Sequence, residues 1–107
     1  MLDGLHYSII CCNVLGSCYG TFSPLSAVPD SSQRYGPRFP AVTIRDSVRL
    51  QYACVSQVLQ SDLLNITVVG GSLGGMHALE WACLYPAKLQ KLVVLASSVR
   101  QSAWGIA

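Results

Sequence analysis

The residues most suited to chemistry in this sequence are a serine and the glycines around it, Gly70-Gly71-Ser72-Leu73-Gly74. They match the pattern G-x-S-x-G and lie between a predicted strand and a predicted helix, which is the context that a nucleophile elbow requires. A serine on such a tight turn projects its hydroxyl above a sheet. Flanking glycines leave room where side chains would meet neighbouring backbone. The pattern therefore predicts Ser72 as a catalytic nucleophile.

The helix that begins after Ser72 favours negative charge at the same place. Its first backbone N–H groups point at the site, and the N–H of Leu73 is predicted as one donor to an oxyanion. The alternative is a glycine-rich turn whose serine only caps the helix. A dinucleotide fingerprint would need glycine in place of Ser72, and a phosphate-binding P-loop would need a Gly-Lys-Ser/Thr sequence that does not follow.

The sequence offers no evident partners for Ser72 in a catalytic triad. After a nucleophile elbow, the acid and then the histidine follow the serine along the chain. Here the only histidine after Ser72 is His77 and the only acid is Glu80, in reverse order and on the same predicted helix. His77 lies roughly 7 Å further along the helix axis, so we expect a packing or surface role for it. His6 is expected to be solvated.

Three predicted strands form the frame for these residues. Tyr7–Cys12, Asn65–Val69 and Lys91–Ala96 are short apolar runs bounded by turn residues, which is typical of buried strands. The last of them is apolar on both faces, as in a central parallel strand. Residues 13–41 hold four of the five prolines and many serines, which predicts a long loop.

Two predicted helices connect the strands. The first begins after Thr43 as N-cap, with Asp46 completing a variant of the capping box, and it is expected to end at Ser61-Asp62. The second is predicted over Leu73–Leu84 and is stopped by Pro86. Small residues at every fourth position are expected to let this helix lie close to a sheet: Gly74, Ala78 and Ala82. The order of elements predicts an α/β fold with a parallel sheet and crossover helices.

Composition narrows the classes of function. Of the 107 residues, 51% are hydrophobic and 11% charged, and the net charge is +2. So apolar a chain is typical of the centre of a larger protein, while scattered basic residues indicate neither a nucleic-acid surface nor a membrane patch. Five cysteines without a C-x-x-C pair predict reduced, mostly buried thiols in a cytoplasmic protein and no metal site. Neither a membrane helix nor a signal peptide is predicted.

Five blocks of the sequence resemble the homoserine O-acetyltransferase family, in that family's order and spacing. The blocks are Cys12-Asn-Val-Leu-Gly-Ser-Cys-Tyr-Gly20, Tyr35-Gly-Pro-Arg-Phe-Pro40, Val42-Thr-Ile-Arg-Asp46, Gly70-Gly-Ser-Leu-Gly-Gly-Met-His-Ala-Leu-Glu-Trp-Ala82 and Ala96-Ser-Ser-Val-Arg-Gln-Ser-Ala-Trp104. They cover nearly the whole chain. The resemblance implies a partial α/β-hydrolase fold, with residues 1–107 as the central part of a single catalytic domain that is incomplete at both ends.

The resemblance also implies a reaction. The family moves an acetyl group from acetyl-CoA to the hydroxyl of homoserine, a step towards methionine, through an acetylated serine that falls on Ser72. Acetyl-CoA is then a co-substrate; no bound cofactor is implied, and the residues that bind the co-substrate stay unidentified. Leu73 stands where many members carry methionine, and Ser17 replaces a common glycine. Relatives with the same scaffold acetylate or succinylate serine, so acceptor and acyl donor stay open. A homodimer of the full-length protein is compatible with the family.

The same resemblance places the triad Asp and His beyond Ala107, and the second oxyanion donor before Met1. One strand of the family's sheet, also before Met1, belongs between the strands at 7–12 and 65–69. We therefore expect the isolated chain to be poorly stable and nearly inactive. Two alternatives to an acyltransferase fragment remain: an esterase of the same fold, and a truncated chain without catalysis.

A few further side chains have expected structural roles. Arg45 and Asp46 are expected at the helix start, with local pairing, and Trp81 and Trp104 are expected in packing. Cys18 lies in a family block that could approach the active site, where a reactive thiol is the alternative to a structural one.

Overall fold

The computed structural model describes residues 3–60 and 65–106 of the chain. They form two compact units, one up to Val42 and one from Thr43 onward. In the second unit the regular elements are α1 (Ile44–Leu59), β1 (Ile66–Gly71), α2 (Leu73–Leu84), β2 (Leu89–Leu95) and the single turn α3 (Ala103–Ile106). A short 3₁₀ helix, Pro86–Lys88, leads from α2 into β2.

The first unit is held by turns and aromatic contacts. Among its described residues the only helix is the 3₁₀ turn Gly36–Arg38, which agrees with the loop predicted over 13–41. The Tyr35 ring lies edge-on to Phe22 and to Phe39, with ring centroids 5.8 Å and 5.7 Å apart. These contacts give the loop a small apolar centre of its own.

The strand predicted at Tyr7–Cys12 is wrong for the described part of the chain. Residues 8–12 have no regular secondary structure, and Tyr7 is 68% exposed, with Ile9 and Ile10 exposed as well. A strand exists only when a neighbouring strand takes up its N–H and C=O groups. No described segment pairs with this one, so its β-forming side chains do not produce a ladder.

Helix α1 begins as its sequence predicts. The Thr43 side chain accepts a hydrogen bond from the Asp46 amide, and the Asp46 carboxylate accepts one from the Thr43 amide at 2.9 Å. The Thr43 hydroxyl also donates to this carboxylate at 2.6 Å, and this bond and the amide bond hold the pKa of Asp46 below its usual value. The helix ends at Leu59, and Gln60 follows in the left-handed conformation. The predicted end at Ser61-Asp62 lies outside the described residues.

The unit β1–α2–β2 is the part of the fold that positions the candidate site. The two strands are parallel and pair from Ile66 with Leu89 to Gly71 with Leu95. Helix α2 runs between them with the predicted bounds. Both strands differ from prediction by one or two residues at each end. Strand β1 continues through Gly70 and Gly71, and β2 begins two residues earlier and ends one residue earlier than predicted. The predicted α/β architecture, with a parallel sheet and a crossover helix, is confirmed for these elements.

The core of this unit lies between α1 and α2. Val48 is fully buried and Trp81 is 7% exposed, and partly buried apolar side chains surround this pair: Ile44, Tyr52, Val55, Ile66, Val68, Leu84, Tyr85 and Leu89. The Trp81 indole N–H donates to Gln51 Oε1 at 3.0 Å, so its polar edge is satisfied. The packing role of Trp81 is confirmed. The same prediction for Trp104 is wrong, because that side chain is 92% exposed.

Helix α2 is tied to α1 by an ion pair as well. The Arg45 Nε donates to Glu80 Oε1 at 2.5 Å, and Glu80 is the first cause that raises the pKa of Arg45. The prediction of local pairing for Arg45 was therefore wrong, because its partner lies on the other helix. Asp46 does pair locally, with Thr43.

The cysteines are less buried than composition predicts. Four of them are exposed free thiols, Cys11, Cys18, Cys54 and Cys83, and Cys12 is partly buried. A reactive role for Cys18 stays a prediction. Within residues 3–60 and 65–106, no helix has both the length and the apolar character needed to cross a membrane.

Candidate active site

Ser72 sits on a strained turn between β1 and α2. Its backbone has φ 53° and ψ −120°, a region that non-glycine residues rarely adopt and that costs about 1–3 kcal/mol. The residue is exposed, and its side chain makes no capping hydrogen bond to α2. The alternative in which this serine only caps the helix is therefore wrong. A strained backbone that leaves the hydroxyl free is the geometry that a nucleophile elbow needs.

Backbone hydrogen bonds hold the turn from both sides. The Ser72 amide donates to the carbonyl of Leu95, the last residue of β2, at 3.0 Å. The Ser72 carbonyl accepts from the amides of Gly75 at 2.9 Å and Met76 at 3.3 Å. The serine is thus tied to the carboxyl end of the neighbouring strand and to the first turn of its own helix.

Two glycines allow strand and helix to approach this closely. A Cβ on Gly70 would lie 2.0 Å from the Gly74 carbonyl oxygen, so no side chain fits there. A Cβ on Gly75 would lie 2.4 Å from the Ser97 Cβ. Gly74 has nothing within 4 Å of such an atom. The prediction that a side chain would meet neighbouring backbone is confirmed at Gly70 and wrong at Gly74. The crowded position on α2 is Gly75, which the sequence analysis did not identify.

The adjacent glycines at 74 and 75 were the sequence signal that could have pointed to the crowding at Gly75. The sequence shows that the start of α2 is small, but it does not show which of two adjacent residues faces the sheet. One residue step turns a helix by about 100°. The fourfold spacing that includes Ala78, which is fully buried, correctly marks the packed side further along the helix.

The predicted oxyanion donor is the first residue of α2. The amide of Leu73 has no acceptor within the helix, because no residue of α2 precedes it. These groups carry the positive end of the helix dipole and favour negative charge at this end. The side chain of Leu73 is exposed. Leu73 as an oxyanion donor stays a prediction that this geometry favours.

The chain's histidines do not complete a triad within the described residues. His77 is 6% exposed, and burial lowers its pKa. Its ring has no hydrogen-bond partner among the described side chains that would orient it as a base, so the packing role is confirmed. Glu80 is engaged by Arg45. His6 is exposed as expected, and its Nδ1 lies 2.6 Å from the Asp3 carboxylate.

The described residues also offer no metal centre. No group of three or more histidine, cysteine, aspartate or glutamate side chains among residues 3–60 and 65–106 could hold a metal ion. The residues that would bind a co-substrate stay unidentified. The described site brings together a serine hydroxyl, a helix N-terminus and the strained turn between β1 and α2.

Comparison with known proteins agrees with this geometry. Residues 1–106 match the family model of the alpha/beta hydrolase fold. The homoserine O-acetyltransferase of Carboxydothermus hydrogenoformans is 50% identical over 98% of this chain and 27% of its own length. The homoserine O-succinyltransferase of Psychrobacter arcticus is 47% identical over 99% of this chain and 24% of its own length.

A solved structure gives the same result for the fold. The crystal structure of a mutant esterase has a TM-score of 0.74 and 31% sequence identity, covering 86% of this chain and 26% of its own. In each of these comparisons the chain spans about a quarter of the relative's length.

Proposed function

The chain belongs to the α/β-hydrolase fold family, and from this premise we propose that it is the nucleophile-bearing part of a homoserine O-acetyltransferase that uses Ser72. The observation that carries the proposal is the Ser72 turn, whose strained backbone leaves an exposed hydroxyl beside a helix N-terminus. The high identity to homoserine acyltransferases supports the same reaction class.

The proposed reaction has two acyl transfers. The Ser72 hydroxyl attacks the thioester carbonyl of acetyl-CoA, an ester forms on its Oγ, and CoA leaves as the thiol with the proton. The homoserine hydroxyl then attacks this ester, takes the acetyl group and returns a proton to Ser72. In each step the Leu73 amide would donate to the oxyanion of the tetrahedral intermediate.

The base and its acid must come from elsewhere in the whole protein. Neither His77, which is buried in helix packing, nor the exposed His6 is suited to the role. The relatives are about four times as long as the matched segment, and we place the triad His and Asp in the remaining part. The 107 residues alone are then expected to be nearly inactive.

The cellular setting is also a proposal. We place the protein in the cytoplasm, where small-molecule substrates such as acetyl-CoA are available and exposed thiols like those of Cys11 and Cys18 stay reduced. Its partners would be acetyl-CoA and homoserine rather than nucleic acid or membrane, and the whole protein would be compatible with a homodimer.

The test uses the complete protein, meaning the whole polypeptide in which residues 1–107 occur. With acetyl-CoA and homoserine, we expect O-acetylhomoserine to form and Ser72 to be found acetylated by peptide mass spectrometry. Ser72→Ala should lower kcat by about 1,000-fold or more, since it removes the nucleophile. The matched control is Ser32→Ala, at an exposed serine of the first unit, which should keep wild-type activity.

Two results would overturn the proposal. One is full activity in Ser72→Ala. The other is an acetyl group on a different residue during turnover. Succinyl-CoA and serine, offered in separate reactions, identify the preferred acyl donor and acceptor.

An esterase is the second candidate, because a solved esterase shares the fold at 31% identity. The two candidates differ in what attacks the acyl-serine: water in an esterase, homoserine in a transferase. Aryl acetate hydrolysis that homoserine neither accelerates nor diverts into O-acetylhomoserine would favour the esterase. Transfer of the acyl group to homoserine, seen as O-acetylhomoserine, would favour the transferase.

A further inference from the structure

We propose that Ser97 is a positioning residue for the reaction of Ser72, acting by its volume against Gly75. The inference rests on the proposed role of Ser72 as nucleophile. Ser97 lies in the segment that follows β2 and belongs to neither helix nor strand. It closes a ring of four residues, Ser72, Gly75, Leu95 and Ser97, which we name the elbow ring.

Three contacts define the elbow ring. Leu95 accepts a hydrogen bond from the Ser72 amide at 3.0 Å, and Ser72 accepts one from the Gly75 amide at 2.9 Å. Gly75 in turn faces Ser97 so closely that an added Cβ would lie 2.4 Å from its Cβ and 2.6 Å from its Oγ. The chain from Leu95 to Ser97, two residues later, closes the ring.

The backbone between Leu95 and Ser97 is shaped for this contact. Ala96 has φ 46°, in the left-handed region that alanine seldom adopts. Such a conformation persists only where the surrounding structure enforces it. Two strained non-glycine residues, Ser72 and Ala96, therefore lie on either side of the hydrogen bond between Ser72 and Leu95.

Ser97 acts by the space that its Cβ fills rather than by a hydrogen bond from its hydroxyl. Its Oγ is buried and has no hydrogen-bond partner in the described part of the chain. The Ser97 side chain instead fills the space that a Cβ on Gly75, in the first turn of α2, would need. Ser97 thus limits how far the first turn of α2 can move toward the carboxyl end of β2.

The Ser72 hydroxyl and the Leu73 amide both lie at the start of α2, so their positions depend on its first turn. Catalytic geometry must be held within about 0.5 Å, and a misplacement of about 1 Å can lower a rate about a hundredfold. A contact that sets this turn against β2 therefore affects the acylation rate. Binding of the acyl donor precedes acylation, so its dissociation constant is expected to change little.

The experiment moves the side chain from one side of the contact to the other in the complete protein. Gly75→Ala adds a methyl group that collides with Ser97, and Ser97→Gly removes the side chain from the other partner. The double variant, with both changes, restores nearly the original volume across the contact. The matched control pairs Gly75→Ala with Ser98→Gly, at the exposed neighbour of Ser97.

The readout is the burst rate of Ser72 acylation by an aryl acetate, per reactive serine, measured over a range of ester concentrations so that its saturation gives the dissociation constant of the ester. Titration with a fluorophosphonate counts the reactive serines, so loss of folded protein does not enter the rate. We expect about a tenfold slower acylation in Gly75→Ala, about threefold slower in Ser97→Gly, and near wild-type acylation in the double variant. The dissociation constant should stay within about twofold throughout, and the control pair should stay slow. Ser97→Ala, which keeps the Cβ, should match wild type.

The outcomes separate the two proposals. Wild-type protein that acylates Ser72 but gives homoserine no acetyl group rejects the acetyltransferase and leaves the ring testable by the same burst. A double variant as slow as Gly75→Ala, or single variants as fast as wild type, overturns the role of Ser97 while the acetyltransferase stands. A Ser72 that does not react at all overturns both.

Discussion

Glycine serves different purposes in the two units of this chain. In the first unit, Gly16 has φ 92° and the atoms nearest an added Cβ lie 3.8 Å away, so backbone conformation requires it. In the second unit, Gly70 has no positive φ, but an added Cβ would lie 2.0 Å from the Gly74 oxygen. The first unit is therefore specified by turns and the second by the distance between strand and helix.

Aromatic packing shows the same difference. Tyr35 and Phe39 are partly buried and touch each other edge-on within a loop. Trp81 is almost fully buried between two helices and its N–H is paired with Gln51. We infer that the second unit holds most of the stability of the described residues, because burial of large apolar groups is the main favourable contribution.

The largest expected effect tests that inference by truncating one aromatic in each unit. Trp81→Ala should lower the free energy of unfolding by about 3–5 kcal/mol, as for other buried aromatics. Phe39→Ala should lower it by about 1–2 kcal/mol, since that ring is only partly buried. Urea unfolding of the complete protein measures both, with Trp81→Phe as an intermediate control. Equal losses at the two positions would remove the distinction between the units.

A smaller effect is expected from adding one methyl group to a glycine in each unit. Gly70→Ala should cost about 3 kcal/mol of stability, because its methyl group meets backbone that cannot move aside. Gly16→Ala should cost about 1 kcal/mol, from its positive φ alone. Gly74→Ala is the control on α2 and should be neutral or stabilising, since its surroundings are open. If Gly70→Ala and Gly74→Ala unfold at the same urea concentration, crowding does not specify the second unit.

The smallest expected effect is a pH dependence confined to the second unit. Burial lowers the pKa of His77 below 6.5 in the folded state, so the unfolded chain binds more protons at mildly acidic pH. The stability contributed by the neutral imidazole is complete above about pH 6.5 and is lost as the pH falls toward the folded pKa. Unfolding curves at pH 7.5, 6 and 5 should show wild type losing more stability than His77→Leu. Parallel curves for the two proteins would contradict it.

The Asp46 carboxyl titrates in a separate range. The pKa of Asp46 is lowered by its bonds to Thr43, so its contribution is lost only below about pH 3.8. The comparison between pH 7.5 and 5 therefore reports on His77 without interference from this cap.

The sequence was sufficient for features that depend on neighbours along the chain. The cap at Thr43 and Asp46, the bounds of α2 and the stop at Pro86 all rest on residues within one or two helical turns. The Ser72 turn is also local, because G-x-S-x-G after a strand leaves few conformations open. Fold class followed from the order of these elements.

Features that depend on distant residues could not be predicted in the same way. The apolar run at 7–12 has the composition of a strand, but pairing depends on another segment. Arg45 finds its partner 35 residues away, on α2. The close approach of Gly75 to Ser97 depends on how α2 is rotated about its axis relative to β2, which no local sequence pattern shows. Trp104 has the size of a core residue but no described side chain covers it.

Under the proposed role of Ser72 as nucleophile, its backbone sets stability against activity at a single residue. Glycine would adopt φ 53° and ψ −120° without the penalty that a Cβ brings. Ser72→Gly would then abolish the nucleophile and at the same time stabilise the turn, while Ser72→Ala abolishes the nucleophile and keeps the strain. Of wild type, Ser72→Gly and Ser72→Ala, the glycine variant should then be the most stable and lack the nucleophile, and only the alanine variant compares directly in stability with wild type.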